Sequence, residues 1–518
     1  MRVQREGVES RRARHWLDRR WTRAGLLLAV GVCVGWFLGA WSALTPAIGP
    51  RAWLATPLLM WRAARLRAAL PTLRISVDFE GYQSLAETGS DSDAPLDCVS
   101  LEIEGDTELL PARACPLRHD VKGDVRMPPV RLDLPADRTL YGMRRAVLAP
   151  ATPDLALAQQ YLHEARSAGI PASRLMVVRL STNGSSWELY ALEELPAAVA
   201  VTGVWETPGD AVLSLDPDPG APPAGPGLGS SFAHALWAVG AAAGDGSGMP
   251  PDDPPADADV VGDLARALFA GAVPAEDVVD AELMGRYIAL TALWRGVLAP
   301  DWAATRFVHD AETGAFAPMA TATTHRAAAP LPAPVLWNPE VQRATVRAIQ
   351  DLAAPAAIEP QLRDDGLTAL YLALGGVGAE SVRDALRLNQ SAMRAWVAPA
   401  RPLHASLVDD PGYLHIALEA IQPYPVEIVA LSIAERGQIE VETTWAQETE
   451  PGRAFLLAPG LVLRGRFTDV PVAATLRVPI EQLGDGDTPA GPDISVLTRV
   501  WGLSTQIPVP VTVEGGDG

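Results

Sequence analysis

From Ala24 to Pro50 the chain carries no charged residue, and the run Gly25–Leu44 (GLLLAVGVCVGWFLGAWSAL) is apolar almost throughout. At about 1.5 Å rise per residue, a helix of that length spans the roughly 30 Å hydrocarbon core of a bilayer. Trp21, Trp36 and Trp41 suit an interfacial aromatic belt. Eight Arg precede the run and four follow it by residue 70, so the positive-inside bias points the N-terminus inward. A secretory signal has a shorter apolar region of about 7–15 residues, which makes a cleaved signal peptide the alternative to an uncleaved anchor. The resulting expectation is a basic cytoplasmic tail at 1–23, a transmembrane signal-anchor at 24–45 and a juxtamembrane amphipathic helix at 46–72. That helix either faces lipid or packs on the body that follows. The protein is then a single-pass membrane protein with its bulk extracytoplasmic, in a periplasm or outside the cell.

Charge divides at the same place. Residues 1–70 hold twelve Arg against Glu6, Glu9 and Asp18, a balance of +9, and the formal net charge of −20 then puts −29 on residues 71–518. An acidic body argues against nucleic acid as a partner, because neutralising phosphates needs a basic face. Lys122 is the only lysine, against 41 Arg, so any reaction that needs a lysine has one candidate. Cys33 lies in the apolar run, which leaves Cys98 and Cys115. Between them VSLEIEGDTELLPARA reads as a hairpin turning at Gly105-Asp106, symmetric enough to set the two cysteines opposite each other. In an oxidising compartment they can bridge; two buried thiols are the alternative.

Local patterns predict a mixed body. Residues 73–80 alternate as a strand, 98–115 form the hairpin, and 130–134 and 143–150 form a strand pair around Tyr141-Gly142. Residues 153–169 predict a helix with Leu155, Leu157, Tyr161, Leu162 and Ala165 inward and Gly169 as its stop. Residues 174–194 predict a hairpin around Asn183-Gly184, the strongest short hairpin signal. A Pro/Gly/Asp-rich insertion at 216–259 reads as a flexible loop. Helices return at 260–270, at 280–298 and in 340–398, around a hairpin at about 303–321. From 404 the pattern is strands alone at sandwich-like spacing.

Generic catalytic motifs are incomplete. His163-Glu164 has no second His at zinc-binding spacing, Gly227–Ser231 is neither a nucleophile elbow nor a phosphate loop, and Glu193-Glu194 end a strand. The order of segments is more telling. VKGDV (121–125), LYGMRRAVLAPA (140–151), AGIPASRLMVVRLSTNGSSWELYALEE (168–194), RYIALTALWRG with DWAATRFVHDAETGAFAPM (286–319) and RLNQSAMRAWVAP (387–399) together resemble the CotH family of spore-coat-type, kinase-like proteins. The resemblance implies an α+β fold. An atypical protein-kinase-like (CotH-like) domain at 73–403 follows one N-terminal transmembrane helix and precedes an all-β sandwich-like domain at 404–518. It also implies Mg²⁺/ATP-dependent phosphorylation of secreted proteins.

Residue by residue, this sequence departs from that pattern. Ala304 stands where the family has a metal- or phosphate-binding Asn, and Ala322 where it has the Mg²⁺-holding Asp. Asp133 lies near the place of the phosphate-binding Lys. What remains is Asp301 as the catalytic candidate and Lys122 and Glu193 as cofactor-binding candidates, with no metal ligand set. Phosphoryl transfer rests on positioning and charge neutralisation, so these losses predict an inactive, pseudokinase-like binding or assembly factor of the cell envelope, with no cofactor. Its partner is expected to be the membrane together with an envelope protein or polysaccharide. Two alternatives stand: an active divergent Mg²⁺/ATP-dependent kinase of secreted substrates that uses Asp301, Asp310 or Glu312 for metal, and an envelope polysaccharide-binding or structural protein unrelated to kinases.

Overall fold

The computed structural model describes residues 50–87, 98–105, 109–116, 127–135, 137–194, 211–216, 236–240, 263–265, 267–268, 272–294, 306–310, 313–320, 335, 338–358, 365–376, 379–408, 412–422, 424–434, 436–447, 455–456, 461–463, 472–483 and 493–513. The chain divides into two compact units, Met1–Arg62 and Ala63–Gly518. Helix α1, Pro50–Ala69, is the first described element, and everything from residue 72 onward belongs to the second unit.

Seven strands close into a barrel. They are β1 (Thr72–Ser76), β2 (Val99–Glu104), β3 (Leu109–Pro116), β4 (Val130–Asp133), β5 (Arg145–Pro150), β6 (Leu175–Thr182) and β7 (Glu188–Glu194), in the order β1-β2-β3-β4-β5-β7-β6. Alternate residues fill the interior, among them Leu73 and Ile75, Leu101 and Ile103, Leu132, Leu148, Leu180 and Leu192. Every pairing is antiparallel except β1 with β6, which closes the barrel. Because β5 and β6 both lie antiparallel to β7, they run parallel to each other and need a crossover, which helix α3 (Pro153–Ser167) supplies. Residues 73–80 do not stay extended. β1 ends at Ser76, because the Asp78 carboxylate accepts the Gly81 amide at 2.7 Å and starts helix α2 (Phe79–Glu87).

Two turns shape the barrel. At Leu140–Met143 the two end residues exchange both backbone bonds (2.8 and 2.9 Å) across Tyr141 and Gly142, whose φ of 51° and 80° define a primed hairpin turn. Asn183 and Gly184 adopt φ of 49° and 76°, and the Asn183 amide accepts from Val77 N (3.0 Å) and donates to Val77 O (2.9 Å). A side chain thus adds a rung to the β1–β6 ladder where the backbone turns away. In the β2–β3 register Val99 faces Ala114, which sets Cys98 opposite Cys115; their Sγ atoms are bonded, with Cα atoms 4.2 Å apart.

A helical layer packs beside the barrel. Helices α4 (Ala275–Val278), α5 (Ala281–Trp294), α6 (Pro339–Ala353), α7 (Asp365–Ala373) and α8 (Ala379–Val397) share with α3 a core that includes Tyr161, Leu162, Leu290, Trp294, Ile349 and Met393. A four-stranded sheet accompanies it: β8 (Ala211–Asp216), β9 (Leu236–Gly240), β10 (Arg306–His309) and β11 (Phe316–Met319), ordered β11-β10-β8-β9. The insertion at 216–259 therefore contains a strand, since Leu236–Gly240 pairs with Ala211–Asp216. From Leu403 onward two sheets of five and six strands share one core, with Ile416, Leu418 and Leu476 from one and Ile428, Leu431 and Val496 from the other. Tyr424 and Val500 extend this part into the helical core.

Two expectations are corrected. The body does not take the kinase-like α+β form. The strands of residues 72–194 close on themselves through the β1–β6 pairing, and a closed seven-stranded barrel stands where an open kinase-like lobe is expected. Nor does the single-pass membrane reading stand. No described helix is long and apolar enough to cross a membrane, and the run at 24–45 that carried that reading lies outside the described residues.

Candidate functional site

Helix α3 is the crossover that lies between barrel and helical layer, so one of its faces meets both. Tyr161 and Ala165 point into the helical core, and Glu164, one position from Ala165, falls on the rim of that buried stripe. Across from it, α5 ends at Trp294, which is 1% exposed. A buried indole N–H needs an acceptor, and Glu164 Oε2 takes it at 2.9 Å. Gln160, one turn earlier on α3, donates to Glu164 Oε1 at 3.0 Å. Burial pushes the Glu164 carboxyl above the usual carboxylate range; the bonds from Gln160 and Trp294 and the charge of His163 only partly oppose this.

Glu164 faces a cleft of about 1310 Å³. One wall is α3 with Gln159, Gln160, His163 and Arg166; the others are Arg286 and Leu290 of α5, Ala348, Asp351 and Leu352 of α6, and Gly366, Leu367 and Leu370 of α7. Leu66, Leu70 and the barrel residue Met176 complete it. Three ionisable groups here are committed to the scaffold. Glu164 holds Trp294 and Gln160, Arg166 donates to Ser173 O at 2.8 Å, and Arg286 donates to Ala168 O at 3.1 Å at the end of α3. The Gln159 side-chain oxygen is buried and accepts no hydrogen bond among the described residues.

The residues singled out in the sequence lie elsewhere. Glu193 and Glu194 end β7 beside the C-terminal end of α3. Glu193 Oε1 accepts from Ser173 Oγ at 3.3 Å. Glu194, 3% exposed, accepts from the Arg174 amide at 3.3 Å and lies 3.7 Å from Arg174 Nε. Burial raises the Glu194 carboxyl above its ordinary value, against the opposing charge of Arg174. Asp310 is buried in its own hairpin, where Thr313 Oγ1 donates to it at 2.6 Å. Asp133 lies on the barrel between Arg131 and Arg145, 3.0 Å from each. Lys122, Asp301, Glu312, Ala304 and Ala322 lie outside the described residues.

Of that set, Asp310 accepts from Thr313 in its own hairpin and Glu193 accepts from Ser173. Among the described residues no group of three His, Cys, Asp or Glu side chains comes together. Sequence reasoning passed over Glu164, seeing in His163-Glu164 only an incomplete zinc motif. The usable signal was a carboxylate one residue from the buried stripe of an amphipathic helix, which has to be paid for by a buried donor. Comparison with protein-family models finds no match, and comparison with curated proteins finds none either.

Proposed function

We propose that this protein is a binding or assembly factor, and that the cleft between α3, α5, α6, α7 and the barrel is its recognition surface. The observation that carries this reading is the cleft's construction. Its volume of about 1310 Å³ is above the roughly 300–1,000 Å³ usual for small-molecule pockets, and leucines from α1, α5, α6 and α7 line it beside the polar face of α3. Glu164, Arg166 and Arg286 are tied into holding α3 and α5 in place. Catalysis by general acid, base or nucleophile needs a side chain within hydrogen-bond reach of a reacting group and a partner that activates it. Groups that brace a cleft suit recognition better than turnover.

The test uses the full chain and the neutral, environment-sensitive dye Nile red. Saturable binding with a blue shift is the expected result. Ala348→Trp, which fills the cleft from α6, and the milder Leu367→Gln should each weaken binding at least tenfold while the circular dichroism spectrum is unchanged. Dye binding that neither variant alters would sink the reading. A parallel thermal-shift titration with MgATP should leave the melting temperature unmoved; a saturable rise would favour the divergent-kinase alternative.

A further inference from the structure

Resting on that cleft reading, we propose that the natural occupant is a single-chain amphiphile with a primary ammonium head, its chain along the leucine walls and its head against Glu164. Three independent features converge on this chemistry.

The first is a carboxylate outside any ion pair among the described residues, although the charge of His163 acts on it. Glu164 accepts hydrogen bonds only from neutral donors, the Trp294 indole and the Gln160 amide, and forms no ion pair among the described residues. The two guanidinium groups that line the cleft donate to backbone carbonyls, Arg166 to Ser173 and Arg286 to Ala168. A carboxylate held half-buried without a cation is costly, and an arriving ammonium removes that cost by supplying both the charge and hydrogen-bond donors. Each carboxylate oxygen keeps a second lone pair to receive them.

The second feature is an idle acceptor. Gln159 Oε1 is buried in the same wall with no donor among the described residues, so this part of the cleft, beside Glu164, calls for N–H groups. The third is the wall itself. Leu66, Leu70, Leu352, Leu367 and Leu370 are all only half-buried, although leucine on a packed surface ordinarily goes under. An alkyl chain laid along them would remove that area from water at about 25 cal/mol per Å². The body's −29 charge adds a long-range attraction for cations and repels fatty anions.

The experiment is calorimetric titration of the full chain with octylammonium, octanol and octanoate, each kept monomeric, at pH 7.5. Octylammonium should bind at one site, at least tenfold more tightly than octanol or octanoate. Glu164→Gln keeps an acceptor for the Trp294 indole; it should bring octylammonium to the octanol level. Ala348→Trp should abolish binding of all three. If octanoate binds as tightly as octylammonium, if Glu164→Gln keeps the preference, or if none of the three binds while Nile red does, the ammonium assignment falls and the cleft reading stands. If Ala348→Trp leaves both dye and amphiphile binding intact, both fall together.

Discussion

Glu164 shows how one residue can be structural and responsive at once. Its carboxyl titrates above the ordinary carboxylate range because burial disfavours the charged form. A carboxyl with a raised folded-state pKa contributes stability that is complete below the unfolded value and is lost as pH rises through the raised one. Glu164→Gln should therefore match or exceed the wild-type melting temperature at pH 7, with the difference shrinking as pH falls toward 4.5. A variant much less stable than wild type at every pH would show instead that the charged form is what Trp294 requires. Tyr190 makes a comparable point inside the barrel. Its hydroxyl accepts from Met127 N (3.1 Å) and donates to Met127 O (2.8 Å), so it fastens the backbone just before β4 to the barrel interior. Tyr190→Phe leaves two buried backbone groups without that partner and should cost about 2 kcal/mol in a urea titration. A loss below about 0.5 kcal/mol would mean that other donors or water replace the hydroxyl.

Between elements, α5 and α6 pack closely at Gly285. A Cβ placed on Gly285 would come within 2.5 Å of the Ala344 and Thr345 backbone. In an exposed helix Gly→Ala stabilises by about 1 kcal/mol, whereas forcing extra atoms into a packed contact costs about 1–3 kcal/mol. Here the second effect should win. Gly285→Ala should lower the midpoint of chemical unfolding, and it should weaken Nile red binding as well, because α5 and α6 form two walls of the cleft; a stabilised variant would refute the close packing. The ends of these helices are closed by amides from α8. Asn389 Nδ2 donates to Leu293 O at 2.8 Å, and Gln390 Nε2 donates to Leu352 O and Ala354 O at 3.0 and 2.7 Å. Carbonyls that a helix end leaves unpaired are thus satisfied by a third helix. The helix at 281–294 is legible from its apolar spacing, but its partner is not. Gly285 looks like a weak point in a helix until Ala344 is placed against it.

For the whole molecule, the Cys98–Cys115 bond closes a loop of sequence separation 17 at the base of the β2–β3 hairpin. In the chain-entropy model a loop of about that size is worth roughly 3 kcal/mol. A Cys98→Ser, Cys115→Ser double variant should lose about that much stability, and wild type under reducing agent should behave the same way. Equal midpoints with and without reductant would place the two thiols apart in solution. The helical layer and the C-terminal sheets are joined by buried Tyr424 and Val500, which reach the helical core, and by Arg343 stacking over Trp501 at 5.1 Å. Loosening either part should thus be felt in the other.

Local features were legible in the amino-acid order: the turns at Tyr141-Gly142 and Asn183-Gly184, the α3 stripe, the opposed cysteines and the switch to strands near residue 404. Each is set by steric preference or by apolar spacing over a few residues, and each can be read without knowing the rest of the chain. The closure of the barrel and the make-up of the cleft depend on contacts between distant segments. Alternation in 72–76 and 175–182 marks two strands, but nothing in either names the other as its neighbour, and that single parallel pairing separates a closed barrel from an open sheet. Likewise Glu164 and Trp294 are 130 residues apart, and a carboxylate and an indole have no spacing that announces them. Their meeting follows from how helices pack, because the buried N–H of one must find an acceptor and the fold brings the other within reach.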